Sequence, residues 1–67
     1  MRHGRVKWFD EKRGYGFIVP IGGGEDVFVH YSVIDAPGFK LLNEGQAVRF
    51  EAERGNTGLK ADWVSVA

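Results

Sequence analysis

The chain predicts an all-β fold, a small antiparallel barrel of five short strands. Two observations lead there. Glycine and proline punctuate the sequence at Gly14, Gly22-Gly23-Gly24, Pro37-Gly38, Gly45 and Gly55 to Gly58, leaving strand-sized intervals and no space for a long helix. Inside those intervals apolar and polar residues alternate, most clearly as Val48, Phe50 and Ala52 against Arg49, Glu51 and Glu53. Closing such a sheet into a barrel removes its exposed edges.

The first strand is expected at about 5–13. It carries Arg5, Lys7, Lys12 and Arg13 together with Trp8 and Phe9. Adjacent residues of a regular strand face opposite ways, so Trp8 and Phe9 share a face only if the strand twists or bulges. Trp8 is assigned to the outer face and Phe9 a partly structural role. The second strand, about 15–20, places Tyr15 and Phe17 on one side and Gly16 and Ile18 on the other, and Pro20 stands where it ends. The third, about 26–31, sets Phe28 and His30 against Val27 and Val29. A helix over Glu25 to Ala36 matches the apolar spacing about as well at first, but its Val and aromatic content favours a strand. One tight helical turn follows at Tyr31-Ser32-Val33-Ile34, with the Ser32 hydroxyl bonded to nearby backbone. A longer connection leads to Gly45. The fourth strand, about 46–53, buries Phe50, and the fifth runs over about 59–66.

In the second and third strands the β-branched residues take the inward phase and the rings the outward one. A small core would be expected to bury its Phe first. Flat rings turned to water are suited to stacking on nucleic-acid bases.

Composition narrows the alternatives. A chain of 67 residues makes one small domain, over residues 1–67, with limited burial. It contains no cysteine, which is compatible with a reducing cytoplasm, and neither a signal-peptide pattern nor a membrane-length apolar run. Net charge is zero, which by itself argues against a phosphate-rich partner. The distribution argues the other way: Arg2, Arg5, Lys7, Lys12 and Arg13 outweigh Asp10 and Glu11 before residue 14, and the rest is slightly acidic. Lys7, Lys12 and Arg13 can then steer and hold phosphates beside the rings. His30 has only His3 as a fellow histidine, without ligand spacing, so neither a metal nor a catalytic role is expected. Gly22-Gly23-Gly24 lacks the Gly-Lys-Ser/Thr of a phosphate loop, and Gly14-Tyr15-Gly16 lacks the third glycine of a dinucleotide fingerprint. No enzyme activity and no cofactor are expected.

Three segments carry a family resemblance. Gly4-Arg5-Val6-Lys7-Trp8-Phe9-Asp10, Arg13-Gly14-Tyr15-Gly16-Phe17-Ile18 and Val27-Phe28-Val29-His30-Tyr31-Ser32 resemble the first strand and the two ribonucleoprotein motifs of the bacterial cold-shock proteins. The resemblance runs from Gly4 to about Val66. RNA-recognition-motif domains share the Arg-Gly-Tyr-Gly-Phe start, but they place the other motif earlier and need two helices that this chain lacks.

The resemblance implies a five-stranded antiparallel oligonucleotide-binding (OB) barrel that binds single-stranded RNA and DNA with low specificity. It implies that Lys7, Trp8, Tyr15, Phe17, Phe28, His30, Tyr31 and Phe39 line the surface, with a leaning toward pyrimidines. It further implies an RNA chaperone in the cytoplasm, acting on transcription and translation in stress adaptation. A monomer is expected. The alternative from another class is a barrel that docks proline-rich peptides on its exposed aromatics. The chain departs from the family pattern in places. Asp10 stands where Asn is usual, putting a hydrogen bond from that position in question and adding charge beside the face. The Gly22-Gly23-Gly24 turn is one residue longer than usual. Tyr15 and Tyr31 replace Phe, Leu59 stands where Pro is common, and Trp63 is atypical and assigned to packing or a local surface contact.

Overall fold

A computed structural model describes residues 2–35 and 42–67. Phe39 lies outside the described residues. The strands are β1 Arg2–Asp10, β2 Tyr15–Pro20, β3 Val27–His30, a two-residue β4 Ile34–Asp35, β5 Ala47–Gly55 and β6 Gly58–Val66. They form one sheet in the order β3-β2-β1-β5-β6-β4, and a β3–β6 pairing closes it into a barrel. The five long strands are those expected, and β4 is additional.

Two details of pairing differ from an all-antiparallel barrel. Phe28 meets Lys60 in a parallel bridge between β3 and β6, and β4 runs parallel to β6 through Ile34 and Asp35. Closure brings two strands together that travel the same way. The first strand is also displaced toward the N-terminus. It starts at Arg2 because Arg2 to Arg5 pair with β5, and it ends at Asp10, where a turn begins. Asp10 Oδ1 accepts the backbone N–H groups of Lys12 and Arg13 at 3.0 and 3.2 Å, and Gly14 N–H donates to Asp10 O at 2.7 Å. Side-chain capping of this kind diverts the backbone from the ladder.

Tyr31–Val33 forms the expected tight turn, a 3-10 helix. The Ser32 partner differs from expectation: its hydroxyl lies 2.8 Å from His30 Nδ1, on a side chain and not on backbone.

The core comprises Val6, Ile18, Val27, Val29, Ile34, Leu42, Val48, Phe50, Ala61 and Val64, with Phe9, Val33, Ala52 and Leu59 packed at its margin. Among the described residues no polar or charged residue is buried. Burying a Val or Ile side chain contributes about 1.5 to 3 kcal/mol, so the β-branched inward phase of β2 and β3 suffices to fix their register. A one-residue slip would turn Ile18, Val27 and Val29 to water. No helix of the described residues is long and apolar enough to cross a membrane.

Candidate nucleic-acid interface

With Ile18, Val27 and Val29 fully inside, the alternate residues of β2 and β3 face out. Tyr15 pairs with His30, and Phe17 with Phe28. On the other side of β2, Trp8 of β1 pairs with Phe17, and the register shifts between Val6 and Trp8. That bulge resolves the Trp8–Phe9 question. Lys7 is the extra residue, so Lys7 and Trp8 both reach the outer face while Phe9, opposite Gly16, turns to the core margin. Gly16 makes this crossing tight. A Cβ there would run into the Trp8 carbonyl and come within 2.8 Å of Phe9 Cα, both immovable backbone atoms.

Four rings consequently meet outside the barrel. Trp8 lies 5.7 Å from Tyr15 and 5.4 Å from Phe17, and Phe28 lies 5.6 Å from Tyr15 and 5.7 Å from Phe17 between centroids. Interplanar angles of 67°, 54°, 31° and 78° make these tilted or edge contacts. None of the four is a flat face-to-face stack, so the cluster keeps ring surface available to a flat ligand.

His30 and the half-exposed Tyr31 form a second pair, 4.6 Å apart. Gly14 makes room for it: with φ at +78°, any side chain there would be strained, and its Cβ would sit 2.7 Å from the Tyr31 ring. Ser32 N–H donates to His30 Nδ1 at 3.3 Å. Nδ1 is therefore an acceptor, and in the neutral ring the proton sits on Nε2. The imidazole is held in one orientation with an N–H donor at its far edge.

The charges flanking the rings are partly matched. Lys7 Nζ lies 2.9 Å from Asp26 Oδ2, and Arg13 Nε lies 3.9 Å from Asp10 Oδ2. Tyr15 raises the Arg13 pKa above its usual value, first through a side-chain hydrogen bond and then through its charge, and Asp10 adds to it. Arg13 stays cationic at every working pH. Asp10 shares the outer face with Tyr15 through their pairing. It acts as an acceptor that holds the β1–β2 turn, a role that reading it as a lost amide donor missed. Lys12 lines a cleft of about 540 Å³ with Trp8, Phe9, Asp10, Glu11, Leu42, Asn43 and Glu44.

Glu25 was not singled out in the sequence. Its carboxylate accepts from Leu59 N–H at 3.1 Å and Arg54 at 3.2 Å, tying the β5–β6 turn to the segment before β3. With Phe17, Asp26, Phe28, Thr57, Gly58, Leu59 and Lys60 it borders a cleft of about 700 Å³ at the ring cluster's edge. No local signal marks such a residue, because its partners lie 29 and 34 positions away. Trp63 Nε1 donates to Asp35 Oδ2 at 3.4 Å, a local surface contact as expected. Among the described residues there is no cluster of three or more His, Asp or Glu suited to a metal ion.

A closed five-strand barrel with unsealed rings on the outer face of β1 to β3 defines the OB class of small oligonucleotide-binding domains. Within that class, the family described as the 'Cold-shock' DNA-binding domain matches residues 2–67. The chain belongs to the cold-shock domain family. It is 55% identical over 58 residues to the cold shock protein CapA of Pseudomonas fragi, covering 87% of this chain and 91% of the relative. It is 57% identical over 63 residues to a cold shock-like protein of Thermotoga maritima, covering 94% of each. The cold shock protein ScoF of Streptomyces coelicolor is 49% identical over 67 residues and the full length of both chains. The solved structure of Drosophila Unr CSD456 superposes with a TM-score of 0.78 over 98% of this chain and 26% of that one. At 17% identity this likeness speaks for the fold alone. Family membership favours a nucleic-acid partner over the proline-rich peptide alternative.

Proposed function

We propose that the chain is a single cold-shock domain over residues 1–67 that binds single-stranded RNA and DNA by stacking bases on its outer rings. The carrying observation is the cluster of Trp8, Tyr15, Phe17 and Phe28 outside the aliphatic core, joined by tilted and T-shaped contacts with no flat face-to-face stack among them. His30 and Tyr31 extend the platform, Lys7, Lys12 and Arg13 border it, Asp10 fixes the turn beside Tyr15, and Phe9 anchors the same strand segment at the core margin. Phe39 is assigned to the same surface by family resemblance. Base preference leans toward pyrimidines. The protein acts as a cytoplasmic monomer without enzymatic activity.

Each base stacked on an aromatic contributes roughly 1 to 3 kcal/mol. Four stacks in the lower half of that range give about 4 to 8 kcal/mol before ordering costs, enough with modest help from phosphates for about micromolar affinity. Duplex melting is then passive. Binding the unpaired state shifts a hairpin by RT ln(1 + [L]/Kd), about 2.7 kcal/mol at a hundredfold excess over Kd. That opens weak structures, the work of an RNA chaperone affecting transcription and translation.

The test is a titration of the Trp63→Phe variant, in which Trp8 alone reports by fluorescence, with oligothymidine and with an arbitrary duplex. Quenching by the single strand at about micromolar concentration, and much weaker quenching by the duplex, is expected. No response to the single strand would remove the proposal.

A further inference from the structure

The outer face continues past the rings. Along β2 the outward phase runs Tyr15, Phe17, Val19 and then Ile21. Val19 and Ile21 are 40% and 64% exposed while the intervening Ile18 and Pro20 are buried. Beside them on β1 runs a second outward column. Arg5 pairs with Val19, and Ile21 N–H donates to the carbonyl of His3, at 2.9 Å. His3 and Arg5 are both exposed. An apolar column thus lies against a column of basic side chains, in line with the ring cluster.

The Lys7–Asp26 ion pair marks the border between the two regions. Lys7 stands on β1 beside the Trp8–Phe17 pair, and Asp26 precedes Val27, which pairs with Ile18. The pair therefore spans β2 between Phe17 and Val19. Beyond Ile21 the chain turns through Gly22, Gly23 and Gly24, where an added Cβ would meet nothing within 4 Å. Among the described residues no side chain closes that end of the surface.

We infer that Val19 and Ile21, with Arg5 and His3 beside them, form an additional nucleotide subsite that takes the continuation of the strand held on the rings. Three residues lie between Phe17 and Ile21, which sets the two about 13 Å apart at roughly 3.3 Å per residue step, room enough for a further nucleotide with its phosphate. The apolar column suits the flat side of a sugar or the methyl group of thymine. The basic column suits the phosphate: one guanidinium nitrogen of Arg5 donates to Gly45 O at 3.1 Å, and the group carries five N–H donors in all. A base at this subsite makes apolar contact without aromatic stacking, so the subsite adds length dependence more than base selectivity.

The inference rests on the proposed single-strand function, and a length series separates the two. Oligothymidines of increasing length are titrated into the Trp63→Phe protein and into the same protein carrying Val19→Ser and Ile21→Ser. Both substitutions lie at exposed positions outside the core, and thermal unfolding of the variant checks that the fold is kept. The two proteins should bind the shortest oligonucleotides equally, and the variant should lose about threefold to tenfold in affinity for longer ones, reaching its plateau at a shorter length. Identical length profiles would overturn the subsite while leaving the ring platform intact. So would a change confined to oligomeric state in sedimentation, which would assign the patch to a second copy of the chain. Failure of both proteins to bind any length would overturn the single-strand function and the subsite with it.

Discussion

At Phe17 and Phe28 the side chains are neither core nor bare surface. Each touches two other rings at 5.4 to 5.7 Å and is partly exposed, so their removal takes away ring contacts from the neighbours but opens no cavity in the aliphatic core. Phe17→Ala and Phe28→Ala should each weaken oligothymidine binding by about 1 to 3 kcal/mol, while cooperative unfolding is retained. Unchanged affinity with both removed would reassign the rings to structure. This division was legible in the sequence because alternation with Ile18, Val27 and Val29 fixes which side is inward. The environment of His30 was not legible to the same degree. Proximity of Ser32 suggested a backbone contact, but the turn of Tyr31–Val33 brings the hydroxyl to the imidazole and the Ser32 amide to the same nitrogen.

The strands themselves follow from punctuation and period, and their ends depend on contacts that neither records. β1 was expected to run to residue 13, up to the break at Gly14, yet Asp10 stops it by accepting two backbone N–H groups. The bulge between Val6 and Trp8 was implied by two adjacent large aromatics, but its position depends on Gly16 accepting the close approach of Trp8 and Phe9. The turn after β1 also gives a test. In Asp10→Asn the amide oxygen can still accept from Lys12 and Arg13, so the fold should persist, and loss of a negative charge beside Tyr15 should tighten single-strand binding by up to about threefold. Asp10→Ala removes the oxygen that accepts both hydrogen bonds and should cost about 1 to 2 kcal/mol of stability in urea unfolding. Equal stability of the Ala and Asn variants would show that the turn does not depend on this carboxylate.

Across the whole molecule, zero net charge sets the balance of forces in binding. A single strand held through two to four Lys or Arg contacts gives a log-affinity slope against log salt of about −1.5 to −3. A slope steeper than about −5 would mean that phosphates, and not rings, dominate. The Lys7–Asp26 pair bears directly on this number. Both side chains are partly exposed, so the pair itself is worth at most about 1 kcal/mol and an arriving phosphate can take Lys7 from Asp26. In that exchange one counterion leaves the phosphate and another is drawn to the freed carboxylate, so the net release from this contact is close to zero. Asp26→Asn removes the second half of the exchange. The variant should unfold within about 1 kcal/mol of the parent, bind more tightly at low salt, and show a slope steeper by about 0.7, the value for one more phosphate contact on a single strand. Measuring oligothymidine affinity across a salt series for both proteins checks it. Equal slopes would mean that Lys7 contacts no phosphate even when the Asp26 charge is gone, leaving Lys12 and Arg13 to carry the phosphate contacts beside the rings.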